Sequence, residues 1–188
     1  MKRALVIAAV VAGIAGCSGS GAGSAPTALP PLSAGPAGAS PTAAPPAAVP
    51  VVTKPPEADK ATATGAEAFA RYWIAELNAA FASLDASRLQ SISGPRCATC
   101  QSYIDSLRTS AANLERYEGG HISVREVAAT SPAASAATVI LNYDSAEGRV
   151  FDAEGKLLDR VAARRNVTLQ FDLVRRGSGW TAKQLVRV

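Results

Sequence analysis

The sequence predicts an α+β domain: three N-terminal helices packed on a curved, mostly antiparallel sheet, carried on a disordered Pro/Ala/Gly-rich stalk. Three observations predict it. Apolar residues recur at three- and four-residue intervals from Phe69 to Leu84 and again from Cys100 to Leu114, as helices that bury one face require. After Gly119-Gly120 the period changes to alternation in short segments rich in β-branched and aromatic residues. Ten of the twelve prolines lie between Pro26 and Pro56, in a stretch that has no aromatic residue to anchor a core.

The elements follow in order. Met1-Lys2-Arg3 is a positive start, Ala4 to Gly16 is uncharged and apolar, and Ile14-Ala15-Gly16-Cys17 ends the run on small residues and a thiol. This pattern resembles a bacterial lipoprotein signal. The resemblance implies cleavage after Gly16, diacylglyceryl attachment to Cys17, and a lipid-anchored place on the extracytoplasmic face of the cell membrane. Two other readings stay open: an ordinary secretory signal cut elsewhere, and a retained span. The run falls short of the roughly 20 apolar residues a span needs. The expected divisions are 1–16 as signal, 17–61 as lipidated cysteine and linker, and 62–188 as the extracytoplasmic domain. The linker reads as spacer, since its Pro-Pro pairs lack interleaved basic residues.

Thr64-Gly65-Ala66-Glu67 has the form of a capping box, so the first helix is expected to start there, with Phe69, Trp73, Leu77, Ala80, Phe81 and Leu84 on its buried stripe. Asp85 caps a short second helix with Leu89 and Ile92. Gly94-Pro95 interrupts, and a third helix is expected from Cys97 to Tyr117, with Cys100, Ile104, Leu107, Ala111 and Leu114 on one side, ending at Gly119-Gly120. Strands follow: Ile122 to Val127 with an irregularity at Glu126, Thr138 to Tyr143, Arg149 to Phe151, Leu157 to Val174, and a last one from Trp180. In the fourth, Val167, Leu169, Phe171 and Leu173 point one way, and Thr168, Gln170 and Asp172 the other.

The element order over most of Thr64 to Val188 resembles the nuclear transport factor 2-like cone, shared with ketosteroid isomerase-type proteins. A narrower resemblance rests on Phe69-Ala-Arg-Tyr-Trp73, Leu77-Asn78-Ala79-Ala80 and Cys97-Ala-Thr-Cys100, together with the lipidation signal and stalk. These are similar to an uncharacterised lipoprotein family of high-GC Gram-positive bacteria, which brings no activity with it.

Charge excludes little but guides the reading. Thr62 to Val188 holds 15 Lys and Arg against 13 Asp and Glu, so the domain is near neutral and no concentrated basic face for nucleic acid is evident. Arg164-Arg165 and Arg175-Arg176 read as solvated strand ends. With Cys17 acylated, Cys97 and Cys100 remain as an even pair in an exported domain; three residues apart at a helix start, their α-carbons would lie about 5 Å apart, and a structural disulfide is expected. A redox-active pair is the alternative. A zinc site is poorer, because the chain has one histidine, His121, and no second cysteine pair. No metal or other cofactor is expected.

In the cone, His121, Tyr143, Asp144 and Asp172 are the groups available for proton transfer, although Asp172 is expected to face away from the apolar side. Asn166-Val167-Thr168 matches a glycosylation pattern inside a predicted strand and carries no meaning there. The leading expectation is a noncatalytic binding domain for an envelope protein or small apolar ligand, attached to the membrane through the lipid on Cys17 and not binding nucleic acid. The alternatives are a small isomerase or dehydratase using the cone cavity, and a thiol-disulfide protein using Cys97 and Cys100.

Overall fold

The computed structural model describes residues 51–188. The signal, Cys17 and the stalk up to residue 50 lie outside the described residues. The packed chain begins ahead of residue 62: Pro56–Asp59 forms a single 3-10 turn in which Ala58 is fully buried, and Lys60 offers its carbonyl to the Trp180 indole N–H at 2.9 Å.

Helix α1 spans Ala63–Ser83. Its cap is Thr62, not the expected Thr64: Thr62 is extended, as a cap must be, and its Oγ1 accepts from the Gly65 N–H at 3.1 Å, whereas Thr64 already lies within the first turn. A Cβ on Gly65 would stand 2.1 Å from the Lys60 carbonyl oxygen, so this turn can lie against the preceding chain only with glycine there. The helix stops at Leu84 in the left-handed conformation (φ 58°). Asp85 Oδ1 then accepts the Ser87 N–H at 2.9 Å, but the cap of α2, Ser87–Ser91, is Ala86 and not the expected Asp85; Leu89 of this helix is fully buried.

Helix α3 covers Ala98–Ala112 and is shorter than expected. Leu114 turns left-handed (φ 55°), its N–H reaching Ala111 and the Glu115 N–H reaching Ser110. This paired closure satisfies the last carbonyls and ends the helix. Leu114 is therefore 71% exposed rather than on the buried side, and Tyr117 enters a strand.

Seven strands follow: β1 Arg116–Gly119, β2 Ile122–Ala129, β3 Ala136–Ser145, β4 Gly148–Phe151, β5 Leu157–Val161, β6 Arg164–Arg176 and β7 Gly179–Arg187. They form two antiparallel sheets in place of the single one expected, β2-β3-β6-β7 and β1-β4-β5. The strand read as running from Leu157 to Val174 is two, because the chain leaves β4's edge after Val161 and joins β3 from Arg164. The expected irregularity in β2 is present as a register shift between Val124 and Glu126.

The inner face of the four-stranded sheet presents Val139, Leu141, Phe171, Leu173 and Ala182 to the helices, all at most 1% exposed. Trp73 of α1 meets Phe171 edge-on at 5.5 Å, and Tyr103 of α3 meets Trp73 edge-on at 6.2 Å, a geometry that aromatic quadrupoles favour. Both edges of this sheet are occupied. Asn78 of α1 exchanges two 2.9 Å hydrogen bonds with the Ile122 backbone, and Glu67 accepts the Ala129 N–H at 2.9 Å, so α1 holds both ends of β2. On β7, Gly94 N–H donates to the Ala182 carbonyl at 2.7 Å, and Thr99 Oγ1 donates to that of Leu185 at 2.9 Å. Occupied edges remove the templates on which strands aggregate.

Candidate functional site

The groups available for proton transfer, His121, Tyr143, Asp144 and Asp172, are not brought together. Tyr143 lies on the inner face of β3, half-buried against the core. Asp144 is on the other face, where the Asn166 N–H (2.9 Å) and then Arg125 (2.8 Å) hold its carboxyl below the usual carboxylate range. Asp172 is also outward, as expected from the alternation, and accepts from Gln170 at 3.0 Å and Thr138 at 3.2 Å. His121 is exposed between β1 and β2. Between helices and sheet, where a cone would hold a ligand, Trp73, Phe69, Phe171, Leu141 and Leu173 fill the space and are essentially without exposed surface.

Cys97 and Cys100 are joined by a disulfide across 5.2 Å of Cα separation. Cys97 is the residue before α3, and its Sγ accepts the Cys100 N–H at 3.3 Å, so the bond fixes the helix start. Neither cysteine has exposed surface. Thiol-disulfide exchange needs an attacking thiolate to reach one sulfur, and here both are covered. Among the described residues, no group of three or more His, Cys, Asp and Glu is placed to hold a metal ion, and no helix is long and apolar enough to cross a membrane.

A different residue stands out. Glu76 on α1 is only 5% exposed, and its Oε1 is buried without a hydrogen-bond partner. It lines a cavity of about 300 Å³, walled by Val51, Val52, Ala79 and Ala80, with Ser83, Asp85 and Arg88 contributing polar groups. The Asp85 carboxylate is already engaged with the Ser87 N–H, which lowers its pKa. Arg88 lines the cavity without closing an ion pair on Glu76. Next to them, the Tyr72 hydroxyl is pushed up to about 12 by burial and then by the Glu76 carboxylate, which together outweigh the opposite pull of Arg88.

A buried carboxylate oxygen left without a donor costs roughly 1–3 kcal/mol, and more when charged. Glu76 therefore carries an unmet acceptor just behind the wall of the cavity it lines. Sequence reading passed over Glu76, although its position signalled it. It follows Trp73 by three residues and precedes Ala80 by four, and so occupies the same stripe as the buried residues of α1.

Residues 38–185 match the model of DUF6318, described as a family of unknown function, and the chain belongs to that family. No curated protein matches the chain. Several solved structures are similar. The intermembrane space region of the chloroplast protein ARC6 shares 15% identity over 67% of this chain and 95% of its own, with a TM-score of 0.48. A putative aromatic ring hydroxylase from Novosphingobium aromaticivorans shares 11% over 63% and 84%, with a TM-score of 0.44. An NTF2-like protein with a cystatin-like fold from the same organism shares 18% over 63% and 77%, with a TM-score of 0.34. The likeness is one of architecture and extends no further.

Proposed function

We propose that this DUF6318 member is a noncatalytic binding domain, tethered outside the cell membrane through a lipid on Cys17, whose cavity on α1 receives a protonated amine from a partner. The observation that carries the reading is the buried, unpartnered Oε1 of Glu76. An ammonium group supplies both the missing hydrogen bond and the countercharge. The aliphatic wall of Val52, Ala79 and Ala80 suits the methylenes that carry such a group, whether in a lysine side chain or a small amine.

The fold in this reading is the nuclear transport factor 2-like cone, its interior given over to packing and its binding moved to the cavity that Glu76, Ala79 and Ala80 of α1 share with Val52 and Arg88. The separation of Tyr143 from Asp144 and Asp172 supports binding over proton transfer, and the burial of Cys97 and Cys100 supports a structural bond over exchange. Anchoring is supported by the signal pattern ending at Cys17 and by the Pro-rich stretch that follows it, the features shared with lipoproteins of high-GC Gram-positive bacteria.

Two measurements test the two halves. Calorimetric titration of the full chain with n-butylamine should saturate at one site, and Glu76→Gln should weaken it by about tenfold or more; equal affinity in the variant contradicts the reading. Mass spectrometry of the membrane fraction should find an N-terminal peptide beginning at acylated Cys17. An unmodified Cys17, or a chain still beginning at Met1, contradicts the anchor.

A further inference from the structure

We infer that a second site, sharing no residue with the Glu76 cavity, binds a phosphate-bearing anion through Arg96, Arg176 and Lys183. Arg96 is far in sequence from Arg176 and Lys183, which sit on the two strands of one hairpin, and Arg176 alone belongs to a short basic run that reads as a solvated strand end. The topology gathers them around one cavity of about 240 Å³, completed by Gly94, Pro95 and Val174. No carboxylate lines it, and among the described residues none of the three cations forms an ion pair.

The convergence is built into the backbone. Gly94 lies flush on β7, its N–H on the Ala182 carbonyl at 2.7 Å and the Ala182 N–H on Ile92 at 3.1 Å. A Cβ on Gly94 would stand 2.9 Å from the Ala182 oxygen, so glycine is what lets this loop bring Arg96 beside the strand. In β7 the register passes from Ala182 opposite Leu173 to Gln184 opposite Asp172, which leaves Lys183 as the extra residue of a bulge. Bulges of this kind re-aim a side chain. Arg176 closes β6, opposite Gly179.

Arg96, Arg176 and Lys183 are each exposed, and three cations around one concave space draw in a counterion that can bridge them. A tetrahedral oxyanion fits them best, since two guanidinium forks and one ammonium supply more donors than a carboxylate can accept. Arg96 also borders an adjoining cavity of about 540 Å³ with Thr99, Gln184 and Arg187, again without a carboxylate, which leaves room for the substituent of a phosphate ester.

The test uses the full chain carrying Cys17→Ser, so that acyl chains do not decide vesicle binding. One arm titrates it with inorganic phosphate at low ionic strength, and the other mixes it with phosphatidylglycerol vesicles, with phosphatidylcholine vesicles as the neutral reference. Saturable binding in the first arm marks free phosphate or a small ester as the ligand. Binding to the anionic vesicles alone marks a lipid headgroup. In either case the combined Arg96→Ser, Arg176→Ser and Lys183→Ser variant should lose about tenfold or more in affinity. A control removing three cations elsewhere (Arg160→Ser, Arg164→Ser, Arg165→Ser) should stay within about twofold. Glu76→Gln should leave this binding unchanged, which keeps the two sites' failures distinct. No binding in either arm, or an equal loss in the control, overturns the inference.

Discussion

The indole N–H of Trp73 donates to Ser93 Oγ at 3.0 Å inside the core, with Trp73 fully buried and Ser93 8% exposed. This bond ties the middle of α1 to the loop that seals β7, so one hydroxyl links the helical layer to a sheet edge. Ser93→Ala leaves the indole N–H buried and unpaired, and should cost about 1–3 kcal/mol in urea unfolding without changing the m-value. A loss under about 0.5 kcal/mol would mean that Trp73 finds another acceptor.

Two threonines precede α1, and the structure gives them unequal weight. Thr62→Ala removes the hydroxyl that accepts from Gly65 and should cost about 1 kcal/mol, while Thr64→Ala should stay within about 0.5 kcal/mol. Equal losses in thermal unfolding would return the cap to Thr64.

Tyr72 makes alkaline stability a readout of the Glu76 neighbourhood. Its hydroxyl is raised from 10.0 to about 12, so the folded state holds its proton over a range where the unfolded chain releases it. Stability is complete below pH 10 and falls as pH rises toward 12, the sign expected when the folded state binds more protons. Tyr103 is raised mainly by burial and acts in the same direction. Tyr72→Phe should make the decline shallower, and absorbance titration of the native protein should show one fewer late-ionising tyrosine. An unchanged decline would place Tyr72 in contact with water.

Much of this was legible in the sequence. The stripe from Phe69 to Ala80, the alternation from Val167 to Leu173 and the shift near Glu126 each follow from one repeating period, and the structure places them so. What was not legible depends on tertiary partners. Leu157 to Val174 is apolar and β-branched enough to read as one strand, and only its two different neighbours, β4 and β3, divide it. Glu67 has the spacing of half a capping box, yet it serves the Ala129 N–H, 62 residues away. Nothing local forbids the third helix from running on to Tyr117, and the left-handed Leu114 that ends it is an unfavourable place for leucine. Glu76, Arg96 and Lys183 are single charges in the sequence and the Arg175-Arg176 pair a short run, and each reads as solvated until the fold shows what surrounds it.

The most direct test of the account is the unfolding free energy of Glu76→Gln without ligand, beside that of the native chain. A carboxylate kept buried for a partner burdens the empty domain, so the variant should be more stable, by about 1 kcal/mol or more, while losing the amine. A variant less stable than the native chain would make Glu76 a structural residue and contradict the proposed site.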